Sequence, residues 1–171
     1  MSPSVPWFAL AVALWALGFG PGCEDRKLDL RNVEAIAKDR YESQSGVSVT
    51  KVTCPEQVPT RKGYDFDCTV AFEGGVTMAM TVEQLGGTNL RWSPTKPVTW
   101  LKDVKAAVAK KFAREGRTIG QLICPKQVYL HPGDSVTCWA GDIAGQSISV
   151  EYALSADGGE SIRLVPGPIP D

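Results

Sequence analysis

One cysteine frame occurs twice in this chain. Cys54-Pro55-Glu56-Gln57-Val58 and Cys124-Pro125-Lys126-Gln127-Val128 are each followed by four residues, a glycine (Gly63, Gly133), four more residues and a second cysteine (Cys68, Cys138), at a constant offset of 70. The likeness extends both ways. Upstream, Leu30, Val33, Ala37 and Tyr41 match Leu101, Val104, Val108 and Phe112, an apolar stripe with the spacing of one helix face. Downstream, Gly75, Met78, Met80 and Val82 match Gly145, Ile148, Val150 and Tyr152, and Gly86-Gly87 with Leu90-Arg91 match Gly158-Gly159 with Ile162-Arg163. An ordered match of helix face, cysteine frame and glycine turns reads as two copies of one unit.

Each copy predicts the same elements. A helix over residues 29–45 is capped by Asp29 and stopped by Gly46, and one over residues 99–115 is capped by Thr99 and stopped by Gly116. A short strand follows over residues 47–53, or 117–123 in the second copy. Alternation around Phe66, Val70 and Phe72 marks a longer strand, which a hairpin at Gly74-Gly75 returns through residues 76–82. Gly86-Gly87 then feeds a last strand at 88–92. The expected fold class is α+β, with two tandem units, each one helix packed on a four-stranded antiparallel meander with one intra-unit disulfide. A helix and a sheet with one apolar face each bury one another, the simplest two-layer core available to such a pattern. The boundaries are a signal peptide at 1–22, a first repeat at 23–93, a linker at 94–97 stiffened by Pro94 and Pro97, a second repeat at 98–165, and a flexible proline-rich tail at 166–171.

The frame also organises the cysteines. Cys54, Cys68, Cys124 and Cys138 are spaced too widely within each pair for the two-residue gap of redox or zinc-knuckle motifs, which favours disulfides. Four cysteines allow three connectivities. Pairing Cys54 with Cys68 and Cys124 with Cys138 keeps each copy self-contained, whereas crossed pairing requires interwoven units. A unit of about 70 residues gains only marginal stability from burial, so closing a loop of about 15 residues adds on the order of 3 kcal/mol.

The fifth cysteine lies near the amino terminus. Residues 7–19, WFALAVALWALGF, are an unbroken apolar run ending in Gly20-Pro21-Gly22 before Cys23, with no basic residue before Arg26. Thirteen residues fall short of the about 20 needed to span a bilayer core, but suit the apolar heart of a secretory signal. The stretch before Cys23 resembles a bacterial lipoprotein signal: Gly22 is the small residue wanted there, while Gly20 and Pro21 depart from the usual Leu and Ala or Ser. The resemblance implies that Cys23 carries acyl groups such as palmitate and begins the mature chain, which also explains an odd cysteine in an exported protein. A plain secreted chain and a short uncleaved anchor are the alternatives.

The repeat itself is similar to a small domain of unknown function found on actinobacterial cell-envelope proteins, often behind a lipoprotein signal. The residues that carry the likeness are the helix, the Cys-Pro pair, the glycine, Phe66 or Val136 two before the second cysteine, and the glycine-punctuated sheet, over residues 28–92 and 98–164. It implies a fold and a location but no site. More distantly, the tandem arrangement resembles the architecture of the secreted β-lactamase inhibitory proteins; no residue transfers from topology alone.

Candidate chemistry is sparse. With 18 basic and 19 acidic residues and a formal net charge of -1, the chain lacks the basic excess a nucleic-acid partner requires. One histidine, His131, leaves no His cluster for a metal and no oriented base for a nucleophile; its Tyr129-Leu130-His131-Pro132-Gly133 setting reads as a solvated turn. Asp65 and Asp67 share a strand face, as acid/base work or calcium requires, but read as a solvent-facing edge. No metal, cofactor or catalytic residue is expected. Two features suggest binding instead. Lys102, Lys110 and Arg114 crowd the second helix opposite Val104 and Val108, where a tethered protein meets anionic lipid or an acidic polymer. Tyr129, Leu130 and Trp139 replace Pro59, Thr60 and Thr69 of the first copy and add bulk beside its cross-linked loop, the kind of rigid anchor that loses little entropy on contact. The same bulk also suits packing against the other unit. The expectation is a non-enzymatic, exported, membrane-anchored lipoprotein that binds or scaffolds an envelope protein or polymer, the alternative being a secreted inhibitor of an extracytoplasmic enzyme such as a protease or β-lactamase.

Overall fold

The computed structural model describes residues 27–142 and 147–165. The expected signal peptide, Cys23 and the tail at 166–171 lie outside the described residues. In chain order come helix α1 (Leu30–Ser45), strands β1 (Val49–Thr53), β2 (Asp65–Phe72), β3 (Thr77–Gly86), β4 (Asn89–Pro94) and β5 (Thr99–Trp100), helix α2 (Leu101–Arg114), and strands β6 (Ile119–Ile123), β7 (Tyr129–Leu130), β8 (Ser135–Asp142), β9 (Ser147–Leu154) and β10 (Glu160–Val165). It is a mixed α/β arrangement with antiparallel sheets.

The first half follows from local chemistry. The Asp29 carboxylate accepts from the Asn32 amide at 3.4 Å, and Gly46, at φ +71°, closes α1 in the left-handed conformation that costs a glycine least while its amide reaches the Glu42 carbonyl. Strands β1-β2-β3-β4 lie side by side in sequence order. Strand β2 alternates strictly enough that Phe66, Cys68, Val70 and Phe72 are buried, and with Met78, Met80 and Val82 of β3 they meet Val33, Ala37 and Tyr41 of α1. The turn between β2 and β3 holds Gly74 and Gly75 at φ +89° and +86°, a pair of conformations that residues with a Cβ rarely adopt.

In the second half the sheet runs β10-β9-β8-β6, and Val136, Cys138, Val150 and Tyr152 pack against Leu101, Val104, Val108 and Phe112 of α2. Disulfides join Cys54 to Cys68 and Cys124 to Cys138. In each half the bridge fastens the end of an edge strand (β1, β6) to the central strand beside it (β2, β8).

Three expectations give way. Thr99 does not cap the second helix: α2 begins at Leu101, and Thr99 and Trp100 extend as β5 to pair with Leu130 and Tyr129. The ladder, together with the Leu101 amide donating to the Val128 carbonyl at 2.9 Å, satisfies backbone groups that a side-chain cap otherwise serves. Residues 129–130 are therefore strand rather than solvated turn. The last strands also sit in a different register from the sequence match. Cys68 lies opposite Met80 and Cys138 opposite Val150; one strand further, Met80 faces Pro94 and Val150 faces Leu164. Trp92 thus corresponds to Ile162 and Leu90 to Glu160, two residues away from the match of Leu90 with Ile162. The cause is the preceding hairpin, since β3 runs on to Gly86 whereas β9 stops at Leu154, where the Ser155 hydroxyl and amide both hold the Gly159 carbonyl.

Candidate functional site

The residues singled out for binding fall in three places. Tyr129 and Leu130 occupy the junction between the halves. Val128 and Tyr129 pack on the first core, while Leu130, 0% exposed, belongs to the second, so Leu130 is not available to a partner. The Tyr129 hydroxyl donates to the Thr77 carbonyl at 2.8 Å. Trp100, directly opposite Tyr129 in the β5–β7 pair, brings its ring within 6.0 Å of Tyr41, 6.3 Å of Phe72 and 6.3 Å of Tyr129. Next to them His131 donates from Nδ1 to the Pro97 carbonyl at 2.8 Å, with its ring 5.2 Å from Tyr129. Lys102 also works across the junction, its Nζ donating to the Ser43 carbonyl at 2.6 Å near the end of α1.

Lys110 and Arg114 stand elsewhere. With Ala107 and Lys111 they form a stripe at i, i+3, i+4, i+7 that flanks the core stripe of α2 and overhangs β10. Beneath this overhang is an open groove of about 510 Å³, floored by Ala107 and Ile162 and lined by Lys110, Lys111, Arg114 and Glu160. Glu115 also borders it, 3.5 Å from the Lys111 ammonium. Lys110 and Arg114 have no acidic partner among the described residues. Tyr152 lies opposite Ile162 in the ladder; its hydroxyl is buried with no hydrogen-bond partner among the described residues. Burial, and then the neighbouring Glu160 carboxylate, push its pKa up to about 12.

Trp139 is half-buried on the outer face of the second sheet, opposite Ser149 on one side and Ile123, 60% exposed, on the other. Asp65 and Asp67 are exposed on the outer face of β2 opposite Glu83 and Thr81, and Asp67 accepts from the Thr81 hydroxyl at 2.7 Å. Among the described residues no three His, Cys, Asp or Glu side chains gather to hold a metal, and no described helix is long and apolar enough to cross a membrane.

Residues 9–88 match the family model described as Domain of unknown function (DUF4333). The match takes in α1 and β1–β3 and starts within the apolar run upstream. No curated protein and no solved structure matches the chain.

Sequence reasoning found two of the groove residues, Lys110 and Arg114, from their charge. It missed Glu160 and Ile162, because which residue of β10 faces α2 depends on a register that the glycine turns misplace, and it missed Ala107, a small α2 residue beside the apolar stripe. The junction role of Trp100 carried one signal, a large aromatic just before the helix stripe of the second half, at a position read as helix.

Proposed function

We propose that the chain is an exported bacterial lipoprotein, acylated at Cys23, that serves as a non-enzymatic binding module of the cell envelope. The observation that carries this reading is that the two disulfides take up four of the five cysteines, bonds that persist in oxidising compartments. The remaining one, Cys23, follows the apolar run and Gly22. The reading of the two halves as copies of one ancestral unit is supported by one helix, one four-stranded sheet and one bridge over a separation of 14 residues in each. What sets the copies apart is surface chemistry: the stripe of Ile36, Asp39, Arg40 and Ser43 on α1 has the same spacing from Leu30 as Ala107, Lys110, Lys111 and Arg114 have from Leu101. One stripe is balanced and the other cationic, which assigns partner contact to the second unit.

The intact mass of membrane-extracted protein, with thiols alkylated and disulfides left unreduced, tests this. A chain beginning at Cys23 with added acyl mass and no alkylation supports it; an unacylated chain in the medium sinks it. That second outcome favours a secreted inhibitor, for which the exposed Ile123 beside Trp139 on the outer sheet offers an apolar contact patch.

A further inference from the structure

We infer that the groove between α2 and β10 is a binding site for a single anionic amphiphile, an acyl chain bearing an acidic headgroup. The inference rests on reading the chain as a binding module and not on acylation of Cys23.

The argument begins from what the first half does in the same place. There the strand residue is Trp92 and the helix residue Ile36; in the second half they are Ile162 and Ala107. Both changes remove side-chain volume, and together they leave the apolar floor of a groove of about 510 Å³. Leu164, two residues beyond Ile162 on the same strand face and 47% exposed, adds apolar surface along β10 outside the groove's lining. A floor of this kind favours a hydrocarbon body, because water leaves apolar surface on both partners.

Charge defines the other end of the ligand. Asp39 and Ser43 of the first stripe give way to Lys110 and Arg114. With Lys111 and Glu115 close to each other, Lys110 and Arg114 retain two positive charges at the rim against the single Glu160. Two cations one helical turn apart suit one acidic group held between them, and a guanidinium offers a carboxylate or phosphate a planar pair of donors. A neutral or cationic amphiphile finds no such partner.

Photoactivatable dodecanoate, added to membranes carrying the full chain, tests the site, with the labelled peptide read by mass spectrometry. The label is expected on α2 or β10, and is displaced by dodecanoate or by dodecyl phosphate, the more effective of the two naming the preferred headgroup. Dodecyltrimethylammonium, acetate and inorganic phosphate do not displace it. Ala107→Trp, which refills the floor without altering charge, abolishes label there, and the double variant K110E/R114E lowers it by about tenfold or more. Both variants are checked for intact disulfides and an unchanged urea midpoint, so that misfolding is not mistaken for loss of the site. Equal competition by the cationic amphiphile, displacement by inorganic phosphate alone, or label that persists in Ala107→Trp overturns the proposal. Acylation of Cys23 is read separately from intact mass, so either idea can fail alone.

Discussion

The hydroxyl of Tyr129, on the second half of the chain, donates to the main-chain carbonyl of Thr77 in the first. The same ring stands edge-on to Trp100, which in turn reaches Tyr41 and Phe72. Residues 128–130 therefore divide between two cores, Val128 and Tyr129 going to one and Leu130 to the other. This makes the halves mechanically dependent. Tyr129→Phe is expected to cost about 1 kcal/mol by loss of the hydrogen bond, and Tyr129→Ala about 2–3 kcal/mol because the ring contacts go too. Urea unfolding of each variant checks this, and a Tyr129→Ala protein as stable as the parent sinks the idea that this contact couples the halves.

Trp100 gives a sharper version of the same test. It precedes the helix of the second half yet packs on the core of the first. Trp100→Ala is expected to lower stability by about 2–4 kcal/mol, toward the low end of the range for large aromatics because the side chain is only half-buried. It is also expected to split unfolding into two steps, since it removes the largest side chain that the second half places on the first core. A single transition with an unchanged midpoint, followed by circular dichroism, speaks against this.

The helix faces and the cysteine frame were legible because each depends on residues close in sequence. Leu30, Val33, Ala37 and Tyr41 repeat at helix spacing whatever they pack against, and the match between Cys54–Cys68 and Cys124–Cys138 implies one bridge per half. Contacts that depend on the partner were not legible. Trp100 pairs with Tyr129 because β5 meets β7, two strands of two residues each, too short for any periodicity to betray. Ile162 faces α2 because the hairpin before β10 ends at Leu154, two residues earlier relative to the disulfide frame than its counterpart. A shift of two preserves the inward face, so the apolar pattern gave no warning. Charge was readable at Lys110 and Arg114, but not that Lys102 spends its ammonium on the Ser43 carbonyl.

Each bridge lies within one half, and the stability it adds is expected to be local. Replacing Cys54 and Cys68 together by Ala is expected to cost about 3 kcal/mol, the chain-entropy value for a loop of about 15 residues, and replacing Cys124 and Cys138 a similar amount. Ala is preferable to Ser because Cys68 and Cys138 are buried in the cores, where a hydroxyl needs a partner. Hydrogen exchange distinguishes local from global effects: removal of the first bridge is expected to raise exchange chiefly in β1 and β2, and of the second in β6 and β8. Equal loss of protection in both halves from either pair indicates that the junction spreads the effect.

Alkaline pH is expected to weaken the fold through its buried phenols. The Tyr152 hydroxyl titrates at about 12 instead of its ordinary 10.0, and burial also raises Tyr41 and Tyr129. Above pH 10 the unfolded chain releases these protons while the folded one retains them. The unfolded state is therefore favoured as pH rises: the full contribution is present below about pH 10 and is lost toward about pH 12. For Tyr152 the span corresponds to roughly 2–3 kcal/mol at most. Tyr152→Phe removes that share and leaves those of Tyr41 and Tyr129, so its stability falls less steeply. Near pH 8 the variant is expected to equal or slightly exceed the parent, because a buried hydroxyl without a partner contributes nothing favourable. Urea midpoints measured at intervals between about pH 8 and pH 11 check both points. Parallel curves for parent and variant show that Tyr152 titrates at the same pH folded and unfolded, and that burial does not hold its proton.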